Sequence, residues 1–371
     1  MRRCRIFVLA SLALGLVTTS AAASSTPPMP GTWRTLAPMP FSIPQANASV
    51  WTGGELIVYG RKPSVNPSVD VAAAYRPSTN TWTTLSPPAG PEYVPGYSAV
   101  WTGKEMLVFG AFHSVAYVPR SSRWRELRRS VPGGIVVWTG RVAIGWGGGC
   151  CGDASGSGVS YRPASDTYRA LPRGPLAPSQ HPVGAWTGRE LVLLVNGVNP
   201  ASGGQYPARL ARAAAYNPGT QRWRRLPPLP VTGGQLGSAV WDGHELLVAG
   251  AGPTSRAAFA FDPSTNRWRR LAALPRPRIG AAPLWTGTRF VLWGGQIPSA
   301  DVPGGLRNGV AYDPRSDAWS SIPQAPLRSS GSAVAWTGRS LLVFGGSIGA
   351  SRATHNRQIY LRAGAAFTAA R

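Results

Sequence analysis

The stretch Ser98-Ala99-Val100-Trp101-Thr102-Gly103-Lys104-Glu105-Met106-Leu107-Val108-Phe109-Gly110 is followed, after a short loop, by Val115-Ala116-Tyr117-Val118-Pro119-Arg120-Ser121-Ser122-Arg123-Trp124-Arg125-Glu126-Leu127. Its first half spells a β-hairpin: an apolar run to Trp101, a Thr-Gly turn, and a second apolar run that leaves through Gly110. The second half spells another hairpin. Tyr117 and Trp124 flank a Pro-Arg-Ser-Ser turn, in which proline presets φ and the serine hydroxyls bond back to the backbone. Four short strands of this kind make one small twisted sheet.

The unit recurs along the chain. Its first hairpin returns at Trp51, Trp138, Trp186, Trp241, Trp285 and Trp336, each followed by Thr-Gly or, after Trp241, Asp-Gly. Its second returns as Tyr75 to Trp82, Tyr161 to Tyr168, Tyr216 to Trp223, Phe261 to Trp268 and Tyr312 to Trp319, always with a proline two positions after the first aromatic. A repeat so regular sets the fold before any local propensity does. The last copy starts at Trp336 and ends near Tyr360 without a second tryptophan, whereas an orphan Trp33-Arg34-Thr35-Leu36 precedes the first complete copy. The N-terminal strand is therefore expected to complete the final sheet.

These residues resemble the kelch-repeat β-propellers, the group that includes the central domain of galactose oxidase. The resemblance covers residues 31–362 and rests on the spaced aromatics, the turn prolines and the glycines that close the second strand, such as Gly147-Gly148, Gly294-Gly295 and Gly345-Gly346. It implies an all-β, seven-bladed kelch-type propeller whose last blade is closed by the N-terminal strand. It does not imply an activity, because one scaffold of this kind hosts unrelated functions. Galactose oxidase holds copper with tyrosines and histidines, one tyrosine being cross-linked to a cysteine, and that set cannot be placed here residue by residue.

Composition agrees with many short strands joined by turns: 371 residues with 45 glycines and 36 prolines. Residues 1–23 stand apart. Arg2, Arg3 and Arg5 precede an apolar run from Ile6 to Val17, and Ala21-Ala22-Ala23 offers a small-residue cleavage site, the pattern of a secretory signal peptide. The expected division is a signal peptide over 1–23, a linker over 24–30, the propeller over 31–362 and a loose tail over 363–371. The mature chain then carries no transmembrane segment, and the protein is expected outside the cell or at its wall.

Strand parity decides where a ligand would bind. With strands a to d running from channel to rim, the a–b and c–d turns share one face and are short and nearly identical. The b–c and d–a loops share the other face and vary, the usual arrangement of a binding surface on a rigid scaffold. Candidate binding residues on that face are Arg61, Lys62, Tyr93, Cys150, Cys151, Asp153, Tyr206, Arg307, Arg352 and His355.

The formal net charge of +24 comes almost wholly from arginine. Many arginines fall on the outer strands, where charge also blocks sheet-to-sheet pairing. A basic exported particle is drawn to polyanions such as wall polymers, and nucleic acid is a poor partner for it. Most of the 14 acidic residues belong to the turns, leaving Asp70, Glu92, Asp153 and Asp301 for the loop face, with no spacing that marks a glycosidase pair. The four histidines, His113, His181, His244 and His355, show no ligand spacing, so neither a metal nor any other cofactor is implied. Gly345-Gly346-Ser347-Ile348-Gly349 matches the nucleophile-elbow pattern, but no helical pattern follows it and its glycines belong to the repeat.

Cys150 and Cys151 are adjacent, set among Gly147 to Gly149 and Gly152-Asp153. Three states stay open: a vicinal disulfide, free or intermolecularly paired thiols, and metal or other chemistry. Adjacent Cα atoms lie about 3.8 Å apart, closer than disulfides prefer, and glycine neighbours accommodate such a distortion. The leading expectation is a non-catalytic module that binds a protein or glycan, for instance an anionic wall polymer, through the variable face. A carbohydrate-active enzyme on the same scaffold and a structural envelope component are the alternatives.

Overall fold

The computed structural model of the protein describes residues 26–42, 48–62, 69–88, 90, 97–110, 113–149, 153–196, 210–232, 236–251, 256–297, 305–327, 331–348 and 359–370. Seven four-stranded antiparallel sheets form a ring, a seven-bladed β-propeller. Blade 1 consists of Ala48–Trp51, Leu56–Arg61, Asp70–Arg76 and Thr81–Leu85, in that order from the axis outward. Blades 2 to 6 follow the same meander. The innermost strands touch in cyclic succession, and Ala333–Trp336 of blade 7 closes against Ala48–Trp51.

The repeated residues form the repeated contacts. Each a–b turn is locked by the side chain that follows its tryptophan: the Thr102 hydroxyl accepts the amides of Lys104 and Glu105 and donates to the Glu105 carbonyl at 3.0 Å, and in blade 5 the Asp242 carboxylate accepts the amides of His244 and Glu245. In each c–d turn one residue takes the left-handed conformation, as Asn80, Ser122, Asp166, Gln221, Asn266 and Asp317 do. The paired aromatics sit directly opposite each other, as Tyr75 and Trp82 do with ring centres 5.1 Å apart. The indole N–H then reaches the preceding blade: Trp82 donates to Ala37, Trp223 to Pro172, Trp268 to Pro227 and Trp319 to Ala272. These four pairs therefore pack within their own sheets and fasten the seams to their neighbours. The core lies in those seams, where Leu342, Phe344 and Ala366 of blade 7 meet Leu56, Val58 and Tyr75 of blade 1.

Gly31–Leu36 is the outermost strand of blade 7, as the sequence predicts. The expected tail is corrected. Gly364–Ala369 is the third strand of that blade, paired on one side with Ser340–Phe344 and on the other with the N-terminal strand, so the propeller runs to Ala369. Phe367 stands opposite Trp33 as its aromatic partner, so the last copy runs past Tyr360, where the sequence reading ended it. Tyr360 instead belongs to a two-stranded ribbon, Ile359–Tyr360 against Ser347–Ile348. The strand is hard to read because Gly364-Ala365-Ala366 has low β propensity, yet third strands here favour small residues. A side chain at Gly364 would collide with the Phe344 ring.

The described part of the linker is also ordered on the scaffold. The Met29 amide donates to the Ser321 carbonyl at 2.7 Å and the Ser321 amide to Pro27 at 2.9 Å, so this segment runs along the outer strand of blade 6. No helix among the described residues is long and apolar enough to cross a membrane. Residues 1–23 lie outside the described residues.

Candidate functional site

Blade 1 differs from its sisters at the end of its second strand. Tyr59 occupies the position held by Phe109, Trp146, Leu194, Ala249, Trp293 and Phe344 in the other blades, and brings a hydroxyl into a buried apolar row. The antiparallel register sets Arg61 opposite Asp70. Tyr97 opens the first strand of blade 2 and enters the same seam from the d–a loop.

Asp70 is the centre of this arrangement, its side chain 0% exposed. The Tyr59 hydroxyl donates to Oδ2 at 2.8 Å, the Tyr97 hydroxyl to Oδ1 at 2.8 Å, and Arg61 Nε to Oδ1 at 2.9 Å. The Tyr59 and Tyr97 rings meet edge to face with centres 4.8 Å apart. Burial, reinforced by the Asp70 charge, raises both phenol pKa values well above the ordinary tyrosine value. Burial alone would weaken the Arg61 charge, but its bond to Asp70 and the fields of Tyr97 and Asp70 hold its pKa above the ordinary arginine value.

Gly90, in the loop from blade 1 to blade 2, closes over the carboxylate. A Cβ there would collide with Asp70 Oδ2 and lie 3.0 Å from His113 Cδ2. His113 sits in the b–c loop of blade 2, which is tied by the Gly110 amide to the His113 carbonyl at 3.0 Å. Its Nε2 is buried without a hydrogen-bond partner among the described residues. Three loops of the variable face thus converge on one buried, charge-balanced core.

A second buried polar centre lies between blades 5 and 6. Arg278, 4% exposed, donates Nη1 to the carbonyls of Gly294 at 2.7 Å and Asn308 at 3.0 Å, and Nη2 to Asn308 Oδ1 at 2.7 Å. Burial, then the nearby Arg276 charge, pushes its pKa down to about 10. It clamps the glycine exit of blade 6 to the loop before that blade's third strand.

Of the residues selected from sequence, Arg61 and Lys62 lie side by side at the blade 1 exit, Lys62 exposed and its amide bonded to the Val69 carbonyl at 2.9 Å. Asp153 is exposed on blade 3, where its carbonyl accepts Gln180 Nε2 at 2.6 Å. Arg307 is on blade 6, its carbonyl accepting the Ala325 amide at 2.7 Å. Among the described residues these places lie on three different blades, 1, 3 and 6. Tyr93, Cys150, Cys151, Tyr206, Arg352 and His355 lie outside the described residues. Ser347 is fully buried in a ribbon strand, which accords with a structural role for the elbow-like pattern.

Sequence reasoning overlooked Tyr59, Tyr97, Gly90 and the packing of His113. One signal was available: a tyrosine in an otherwise apolar column, followed by an acid at the start of the partner strand.

The opposite face holds most of the ion pairs. Arg125 with Glu105, Arg224 with Glu190 and Arg269 with Glu245 join an outer strand to the residue ending the a–b turn of the same blade. Among the described residues no group of three or more His, Cys, Asp or Glu could hold a metal ion.

No protein-family profile matches the chain, and no curated protein matches it either. Among solved structures it is similar to a fungal alcohol oxidase of the AA5 family in complex with copper, at a TM-score of 0.65 and 12% identity, over 91% of this chain and 76% of that one. At that identity the likeness extends to the fold alone.

Proposed function

We propose that this protein is an exported, kelch-type propeller that binds an anionic glycan or wall polymer through its b–c and d–a loops, without catalysing a reaction on it. The observation that carries the reading is Asp70. This carboxylate lies deep in the loop face, is closed over by Gly90, and accepts from Tyr59, Tyr97 and Arg61. Buried and holding three donors, it stiffens the three loops around it and is closed off from a ligand at the surface. Lys62 and Arg276 are exposed on the same face and offer the charge that an acidic polymer would meet.

Among the described residues the copper of the structurally similar oxidase finds no fitting donors. Near Asp70 the described residues provide one imidazole, His113, and two phenols that are spent as donors to the carboxylate and held neutral by burial.

The chain from Ser24 onward, passed over immobilised anionic wall polymer and neutral glycans, tests the reading. Retention is expected on the anionic material alone, weakening as salt screens exposed charge beyond about 8 Å at physiological strength. Replacing Lys62 and Arg276 by glutamine should weaken it further. Turnover in an oxidase and glycosidase panel, with no retained ligand, would reverse the conclusion.

A further inference from the structure

Two equivalent clefts open on the turn face, at successive seams. The cleft between blades 4 and 5 is lined by Thr187, Arg189 and Glu190 of one a–b turn, by Arg224, and by Glu245 and Asp262 of the next blade. Its arginine is neutralised from within, because Arg224 Nη2 lies 2.7 Å from Glu190. The cleft between blades 3 and 4, about 280 Å³, repeats these positions as Thr139, Arg141, Val142 and Arg169, with a single change. Valine stands where the sister blades carry Glu105, Glu190 and Glu245, while the arginine is kept.

The consequence is an uncompensated charge. Arg141, Arg162 and Arg169 all line this cleft, no carboxylate does, and none of the three takes part in an ion pair among the described residues. Ser160 stands opposite Arg169 where Ala116, Ala215 and Ala260 stand opposite the sister arginines, and its hydroxyl donates to the Arg169 carbonyl at 3.3 Å, tying the arginine's backbone to the third strand. Tyr216 of blade 4 forms the far wall. Blade 7 also lacks the glutamate, but Ser340 there is closed onto the Thr368 hydroxyl at 2.7 Å.

We infer that the blade 3–blade 4 seam is a phosphate-group site, in which an oxyanion of the ligand takes the place of the carboxylate that Val142 has removed. The planar guanidinium fork of Arg169 suits two oxygens of a phosphate, and Arg141 and Arg162 supply further charge from the turn and the third strand. The site is independent of the loop face.

Calorimetry at low ionic strength, with inorganic phosphate in one arm and poly(glycerol phosphate) in the other, tests it on the chain from Ser24 onward. Saturable binding is expected in at least one arm, and the tighter arm identifies a free or a polymer-borne phosphate. Arg169→Gln and Val142→Glu should each weaken it roughly tenfold or more, the loss expected for charge-assisted hydrogen bonds. Val142→Glu restores the residue that four sister blades fold with, Glu55, Glu105, Glu190 and Glu245, so its melting temperature should hold. Arg34→Gln, the same charge change on the outer strand of blade 7, should leave binding unchanged. Absence of saturable binding in both arms, or equal losses in Arg34→Gln and Arg169→Gln, would overturn the assignment.

Discussion

The indole N–H of Trp33 donates to the carbonyl oxygen of Pro323 at 2.9 Å, joining residues 290 positions apart. It is the same bond that Trp82, Trp223, Trp268 and Trp319 make at other seams. At blade 7 the tryptophan comes from the start of the chain, so this bond and the packing of Trp33 on Trp293 at 5.0 Å and Phe367 at 5.4 Å close the ring.

Opening that closure should be costly. Trp33→Ala is expected to destabilise the protein by about 2–3 kcal/mol, below the cost for a wholly buried tryptophan because Trp33 is only half-buried. Trp33→Phe, which keeps the ring and loses the donor, should cost about 1 kcal/mol. Deletion of residues 24–40 removes the entire strand and should lower the melting temperature far more. Chemical denaturation of the three variants checks the order, and an unchanged midpoint for the deletion would show that the ring does not depend on this strand.

Gly90→Ala tests the loop core. The added methyl meets Asp70 Oδ2, backed by Arg61 and His113, so the loop from blade 1 to blade 2 must lift. A loss of about 1–3 kcal/mol, typical of overpacking, is expected. Ligand retention should fall with it, whereas Gly103→Ala, at an open turn on the other face, should leave retention intact despite its backbone strain at φ 91°. Equal retention in both variants would detach binding from the Asp70 core.

Alkaline stability follows from the tyrosines. The Tyr168 hydroxyl donates to the Arg129 carbonyl at 2.7 Å, and burial pushes its pKa up to about 12. A phenol of this kind is neutral in both states below about pH 10. Between that point and its folded pKa it ionises only when unfolded, so stability falls as pH rises through the window. Tyr59 and Tyr97, shifted in the same direction, extend the fall to higher pH. Urea midpoints should be flat in this respect below pH 9 and decline above pH 10, and Tyr168→Phe should decline less steeply. A slope identical to the unaltered protein would remove Tyr168 from this account.

The adjacent cysteines remain a chemical proposal. Gly147, Gly148 and Gly149 lead into the pair with φ of 73°, 95° and 128°, a backbone path that only glycine follows without strain. The Ser155 amide bonds back to the Gly148 carbonyl at 2.8 Å. Non-reduced intact mass should show Cys150 and Cys151 linked, two hydrogens lighter than the dithiol. Recovery of two alkylatable thiols would end the proposal. If they are linked, replacing both by serine should impair ligand retention more than folding.

The fold was legible because a propeller blade is written locally. The Thr-Gly turn, the turn proline and the aromatic pair each act over fewer than ten residues, and each occurs in six copies along the chain. Parity alone then separated the turn face from the loop face. What the residues could not display was the third strand of blade 7, since Gly364 to Ala369 becomes a strand only when Ser340–Phe344 and Gly31–Leu36 flank it. Nor could they display the Asp70 core, which joins residues from positions 59 to 113 through packing across two blades. Sequence by itself determined the repeat, the parity and the surplus of arginine. Tertiary structure decided which arginines are neutralised, because charge balance depends on distances between strands, and Val142 removes one partner in a place that only the seam reveals.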